Sequence, residues 1–202
     1  MFKYFRDATR LPGRNANAIF CEATPTGWFW NIPLHDGTNS VGLVTQPRAI
    51  VGCPNDVFDA ALGRSKFLKE QLTDASCVSL TRTIRDYSYR GRQLVGEGFV
   101  IVGDAGNFID PIWSTGVFLA TTAAKLSAEA ILHWLNSGST QAFGDYQREV
   151  HRIVDIYREF VCYFYGSHDE PKGAFWKAYS LVNGSVDPED AFINIVSGRL
   201  GV

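Results

Sequence analysis

Gly98-Phe99-Val100-Ile101-Val102-Gly103-Asp104-Ala105-Gly106-Asn107-Phe108-Ile109-Asp110-Pro111-Ile112-Trp113-Ser114-Thr115-Gly116-Val117-Phe118-Leu119-Ala120 decides how this chain is read. Residues 99–102 are a short apolar run between glycines, the pattern of a buried strand of the parallel type. Asp104 follows at the carboxyl end of that run, where open α/β sheets bind ligands. Ser114-Thr115-Gly116 then opens a helix. The first-turn amides of that helix have no partner within it, and its dipole leaves the end partly positive, so an electron-rich ring edge, a phosphate or a halide is favoured there. A strand, one carboxylate on a sharp turn, a proline-broken loop and a small-residue helix start together form the layout of a cofactor site.

Composition sets the bounds around this segment. The chain has 202 residues, 46% hydrophobic and 13% aromatic, enough for one sizeable core or two small ones. A net charge of −2 with scattered basic residues gives no footprint for nucleic acid. Cys21, Cys53, Cys77 and Cys162 lack metal-type spacing, and residues 1–10 lack the apolar core of a signal peptide, so reduced thiols and a cytoplasmic location are expected. No apolar run has membrane-spanning length. His35, His133, His151 and His168 show no ligand spacing, so they read as structural or solvated and no metal is assigned. Ser114 has no identifiable base and no Gly-x-Ser-x-Gly elbow occurs, which removes hydrolase chemistry.

Outward from the quoted stretch the texture changes twice. Residues 18–23, 28–34 and 40–45 alternate as short strands of an antiparallel meander, with turns at Pro25-Thr26-Gly27 and His35-Asp36-Gly37. Helical spacing predicts a helix over 56–72, and alternation returns over 77–89. Beyond the quoted segment the pattern predicts helices over 115–134, ended by Ser137-Gly138-Ser139, and over 141–165, 174–182 and 188–196.

A second motif joins the first. Trp28-Phe29-Trp30-Asn31-Ile32-Pro33 fits W-x-W-x-I-P. Gly103-Asp104-Ala105 with Phe108-Ile109-Asp110-Pro111 and Ser114-Thr115-Gly116-Val117 resembles the second flavin-binding motif of FAD-dependent monooxygenases. Together the two motifs resemble flavin-dependent halogenases. Agreement extends through His35-Asp36-Gly37, Ser40-Val41-Gly42, Asp86-Tyr87-Ser88-Tyr89 and residues 192–199.

The resemblance implies an α+β chain with part of an FAD-monooxygenase-like fold. Its expected regions are a substrate-side antiparallel sheet with one helix over 1–95, a flavin-contacting strand–helix segment over 96–136, and a helical tail over 137–202. It implies FAD contacts from Gly103, Asp104, Pro111, Gly116 and Val117, a halide at Thr115 and Gly116, and a substrate side formed by Trp28, Trp30, Ile32, Pro33 and Trp113. It also implies reduced FAD from a separate flavin reductase, a flavin hydroperoxide, hypohalous acid, and electrophilic halogenation of an aromatic ring. In this family the paired indoles stand between flavin and substrate and prevent direct oxygen transfer. Trp113 occupies the place where the tryptophan-acting branch carries an acid, so the resemblance points to the branch acting on phenols and pyrroles, free or carrier-tethered. That branch usually has phenylalanine at this place and histidine where Phe118 stands.

Two parts of the family pattern have no match here. No G-x-G-x-x-G occurs, and no residue corresponds to the lysine that relays oxidised halide, so no catalytic residue is assigned. The expectation is therefore the carboxyl-terminal portion of a longer enzyme, binding FAD weakly by itself and exposing an apolar face, with a missing amino-terminal half as one candidate partner. For single residues, blander readings stand beside these. Asp104 suits a turn cap, Trp28 and Trp30 suit plain core filling, and Arg82 and Arg85 suit surface pairing. Asp110, biased to extended backbone before proline, is read as holding the loop. Two alternatives remain: a portion of an FAD-dependent aromatic hydroxylase, which shares the Gly-Asp turn without needing W-x-W-x-I-P, and a non-catalytic remnant or binding protein.

Overall fold

Antiparallel pairing organises the first of two units, Met1–Arg85. Strands β1 (Phe2–Arg6), β2 (Phe20–Thr24), β3 (Gly27–Pro33), β4 (Thr38–Thr45) and β5 (Ser76–Cys77) pair in the order β2-β3-β4-β1-β5. The computed structural model describes residues 1–85, 88–166, 173–181 and 187–199. The three expected meander strands are β2, β3 and β4, with Trp30 opposite Gly42 and Trp28 opposite Val44. β1 lies outside the strands expected from sequence, yet it pairs with both β4 and β5. Its alternation is inverted. Lys3 and Phe5 face the core while Phe2 and Tyr4 are half-buried on the other side, so apolar periodicity does not flag it. Lys3 is tolerated inside because Asp59 lies 2.5 Å from its ammonium and the Phe58 ring 4.9 Å away.

The helix expected over 56–72 is two helices, α1 (Pro54–Arg64) and α2 (Leu68–Gln71). The break has a cause in distant sequence. Ser65 turns to extended backbone, φ −63° and ψ 149°, and its hydroxyl accepts the Lys69 amide at 2.9 Å. The buried carboxylate of Glu22 accepts the amides of Lys66, Phe67 and Leu68, which a continuous helix would have consumed. Met1, Phe5, Phe29, Val41, Leu43, Phe58, Leu68 and Leu72 form the core on this face. The strand expected over 77–89 is also interrupted. Ser79 offers its hydroxyl, in place of a backbone carbonyl, to the Tyr4 amide at 2.8 Å, and the chain meets β1 again at Arg82, bonded to Phe2. Asp86 and Tyr87 lie outside the described residues.

The second unit, Asp86–Val202, is mainly helical, with α3 (Gly116–Ser137), α4 (Gln141–Gly166), α5 (Gly173–Leu181) and α6 (Pro188–Val196). Its strands are pairs of two residues: β6 (Tyr89–Arg90) with β9 (Asn107–Phe108), and β7 (Val95–Gly96) with β8 (Phe99–Val100). The buried parallel strand expected over 99–102 is therefore corrected. Glu97-Gly98 closes a two-residue hairpin with Gly98 at φ +77°; the glycine-flanked turn favours local pairing with 95–96, and Phe99 and Val102 are 45% and 39% exposed. The helix stops match the sequence reading. Gly138 adopts φ +72° and donates to Trp134 O at 2.7 Å, while Asp187 caps α6 by accepting the Glu189 amide at 2.9 Å, with Pro188 in the first turn. Residue 182, the expected end of the helix starting at 174, lies outside the described residues.

Candidate functional site

β3 shows its two faces cleanly. Phe29 points into the core, stacked edge-on to Phe58 at 5.7 Å. Trp28 and Trp30 share the opposite face, 5.8 Å apart, and Trp30 also meets Phe2 at 6.4 Å. Gly42 makes room for this, since a Cβ there would stand 1.9 Å from the Trp30 ring. The Trp30 indole donates to Ser40 Oγ at 3.3 Å. Ile32 and Pro33, at the end of the strand, are half-buried. The sheet thus carries a core of aliphatic side chains and phenylalanines on one side and the paired indoles on the other.

In the second unit, residues 103–115 run as short turns and the two-residue β9, and α4 holds both this stretch and the chain leading into it. Gln147, His151 and Asp155 recur every four residues on one face of α4. Gln147 accepts the Leu94 amide at 2.7 Å, His151 Nε2 donates to Gly91 O at 3.0 Å, and Asp155 pairs with Arg90 at 3.1 Å. Tyr146 donates to Ile101 O at 2.6 Å, two residues before the Gly-Asp turn. His151 is structural, as its sequence context implies. Gly103 stands at φ +59°, where a Cβ would lie 3.2 Å from Ala120 Cβ; the turn over Gly103, Asp104 and Ala105 so packs against the small-residue start of α3. The Tyr89 hydroxyl donates to the Asp104 carbonyl. The Asp104 side chain itself is exposed.

Asp110 does what its place before proline suggests. One carboxylate oxygen accepts the Ile112 amide at 2.8 Å and the other accepts the Tyr165 hydroxyl at 3.0 Å, tying the turn over Pro111, Ile112 and Trp113 to the end of α4. Trp113 is wedged among helices, stacked on Phe160 at 4.8 Å and 22° and edge-on to Phe164 and Phe192, each at 5.3 Å. Its indole Nε1 is buried without a partner among the described residues. Ser114 then takes left-handed backbone, φ 52° and ψ 32°, a costly state for a residue other than glycine. Thr115, 4% exposed, stands at the start of α3 without making a side-chain cap bond. The first bond closing the helix runs from Leu119 N to Thr115 O at 2.9 Å, which leaves the amides of Gly116, Val117 and Phe118 ahead of the ladder. Gly116 borders open space, and Val117 is 77% exposed.

This segment suits the cofactor and anion implied by sequence. It presents one exposed carboxylate acceptor at Asp104 and, at Thr115 to Val117, donors with no matching acceptor among the described residues. The residues brought together within the second unit are Gly103, Asp104, Pro111, Trp113, Thr115, Gly116 and Val117; Trp28, Trp30, Ile32 and Pro33 belong to the first. Sequence reading missed Gln147, Asp155, Tyr146 and Tyr165, whose shared signal is polar residues on the otherwise apolar register of α4. Two of the buried phenols have displaced acidity. Burial pushes both Tyr146 and Tyr157 above the usual phenol range, and Tyr157 donates to Ile195 O at 2.7 Å.

Elsewhere in this unit, Ile131, Leu132 and Leu135 on α3 are exposed, in keeping with the expected apolar face. A groove of about 280 Å³ between α3 and α4 is rimmed by Glu129, Asp145 and Glu149, but each carboxylate already faces a base, Lys125, Arg148 and Arg152 respectively. Its hydrogen bond to Arg152 holds Glu149 below the usual carboxylate range. Among the described residues no cluster of His, Cys, Asp and Glu could hold a metal, and no helix is long and apolar enough to cross a membrane. All four cysteines are exposed and unbridged.

Residues 13–199 match the tryptophan halogenase family. The chain is 31% identical to a tryptophan 2-halogenase of Chondromyces crocatus, over 96% of its own length and 40% of the relative's. It is 29% identical to a 1H-pyrrole-2-carbonyl-[peptidyl-carrier protein] chlorinase of Pseudomonas fluorescens, over 79% of its length and 37% of that protein's. Among solved structures, the myxobacterial chondrochloren halogenase CndH superposes with a TM-score of 0.74 at 32% identity, covering 100% of this chain and 48% of CndH. The flavin-dependent brominase Bmp2 gives 0.80 at 23% identity, covering 98% of this chain and 49% of its own, and so speaks to the fold alone. The chain spans between 37% and 49% of the length of these relatives.

Proposed function

The chain belongs to the tryptophan halogenase family, and on that premise we propose that it forms the flavin- and halide-facing portion of an enzyme that halogenates an aromatic ring, phenolic or pyrrolic, free or carrier-bound. Reduced FAD, when bound, supplies the oxygen activation that oxidises the halide. The residues of this chain bind and position. Asp104 is the acceptor for hydroxyl groups of the cofactor's sugar-alcohol chain, while Gly103 and Pro111 shape the backbone around it. Thr115 and Gly116 hold the halide without a charged side chain, as preorganised donors do, and Gly116 and Val117 also face the cofactor. Trp28, Trp30, Ile32 and Pro33 of the first unit, and Trp113 of the second, are the substrate-side residues. A separate flavin reductase supplies the reduced cofactor, and the protein is cytoplasmic. The relay lysine and the pyrophosphate turn belong to no residue of this chain.

The observation that carries this reading is the run of donors lacking acceptors among the described residues from Thr115 to Val117, beside the turn that Asp110 and its bond to Tyr165 hold. Bromide resonance broadening tests it without turnover. Added protein broadens the bromide line, and Thr115→Val, which keeps the shape and loses the hydroxyl, reduces the broadening severalfold with an unchanged melting temperature. Equal broadening by both proteins contradicts the assignment.

A further inference from the structure

The hairpin of β2 and β3 turns its less apolar face toward the core. Directly opposite residues of an antiparallel pair share a face, and the register sets Glu22 against Phe29, Phe20 against Asn31, Cys21 against Trp30 and Ala23 against Trp28. The core face therefore carries Phe20, Glu22, Phe29 and Asn31. The other carries Cys21, Ala23, Trp28, Trp30 and Ile32, with no charged or amide side chain among them. Burial of apolar area alone favours the reverse arrangement, since two indoles outweigh two phenyl rings. A slip of one residue against β4 would produce it, because such a slip turns a strand's side chains to the opposite face. The neighbouring β4 has no such ambiguity: Val41 and Leu43 are buried in the core, and Ser40 and Gly42 lie on the indole side.

Polar bonds choose the face. Asn31, 4% exposed, accepts from Asn39 Nδ2 at 2.7 Å and donates to Gln71 Oε1 at 2.8 Å. Glu22 accepts the amides of Lys66, Phe67 and Leu68. From adjacent strands, the two side chains thus reach one short stretch, residues 66–71. Turning the hairpin over would strip three backbone amides of their acceptor and leave Asn39 and Gln71 without Asn31, and polar groups orphaned in a core are costly. We propose that Glu22 and Asn31 are positioning residues, whose bonds to residues 66–71 fix the face of β3 and so keep Trp28 and Trp30 on the side away from the core. The proposal rests on the reading above for the indoles' place on the substrate side. On that reading, the aromatic part of the site is held by two polar residues that face the other way.

Nitrogen-15 spectra of the full chain provide the test, with Trp28→Phe and Trp30→Phe identifying the two indole signals. The unaltered chain shows one set. Asn31→Leu and Glu22→Gln each add a second set at about 10% or more of the intensity, the population with the hairpin turned over. Phe29→Leu, which weakens the core without touching these bonds, lowers the melting temperature and keeps the single set. One native set in both Asn31→Leu and Glu22→Gln, whatever their melting temperatures, overturns the proposal, as does a second set in Phe29→Leu. Should Asn31→Leu not fold, Gln71→Leu, which removes the acceptor at the less buried end, gives the second set, and Gln71→Glu, which keeps an acceptor there, gives one; identical spectra for these two also overturn it. The indole signals report on the hairpin and the bromide line on Thr115 and Gly116, so each reading can fail apart from the other.

Discussion

β3 and the loop over 103–117 carry the two motifs of the family, and they are built by opposite means. In β3 the backbone does the placing. Alternation puts Trp28 and Trp30 on one face and Phe29 on the other, and one neighbouring glycine, Gly42, accommodates an indole. In the loop the backbone is irregular, and its course is fixed by side chains from a helix 26 residues long: Tyr146 and Gln147 upstream of the Gly-Asp turn, Phe160 and Tyr165 at the Pro111 turn. A surface made by periodicity, once its face is fixed, tolerates change at any one position except where two groups overlap. A geometry made by convergent side chains loosens by steps as each tie is removed.

The largest effect falls on the sheet. Gly42→Ala brings a methyl to 1.9 Å from the Trp30 ring, and the resulting overpacking costs about 3 kcal/mol. The expected result is a clear drop in melting temperature together with a shift in tryptophan emission. Unchanged melting would break the comparison, because it would mean the indole face is not packed on β4.

In the helical unit, Tyr157→Phe removes the bond to Ile195 O and costs about 1–2 kcal/mol. Alkaline unfolding sharpens the point. Both Tyr146 and Tyr157 have folded acidities raised above the unfolded phenol value near 10. Above that pH the unfolded chain gives up protons that the folded one retains, so stability holds below pH 10 and falls as pH rises beyond it. Melting curves across that range show a shallower decline for Tyr157→Phe than for the unaltered chain; identical slopes would remove Tyr157 from this account.

A smaller effect belongs to the loop ties. Tyr165→Phe loses the hydroxyl bond to Asp110 and costs about 1 kcal/mol or less, whereas Asp110→Ala loses that bond and also uncaps the Pro111 turn. Bromide broadening falls for Asp110→Ala and less for Tyr165→Phe. The reverse ranking would show that the tie to α4 matters more than the cap. Smallest of all, Asp104→Asn changes an exposed side chain and leaves melting within about 0.5 kcal/mol, while lowering FAD affinity.

The same contrast explains what was legible in the sequence. The meander strands, α3, α4 and α6 follow from periodicity and caps, and both motifs identify the family. β1 escapes because a salt-bridged lysine sits on its buried face and aromatics on the other, the inverse of the usual pattern. The split of α1 from α2 depends on Glu22, more than forty residues away, and no local rule contains it. The strand expected over 99–102 yields to a hairpin that Gly98 makes cheap. Among the site residues, the motif positions are readable one by one; the ties from α4 are not, because their meaning lies in a register that only folding reveals.

The central claim is that residues 103–117 seat the flavin and the halide. Backbone amide spectra of the chain titrated with FAD and bromide test it most directly. The account predicts shifts centred on Gly103, Asp104, Thr115, Gly116 and Val117, with FAD required at high concentration and bromide acting at Thr115 and Gly116. Shifts confined to other residues, or none when FAD is present in large excess, would contradict it.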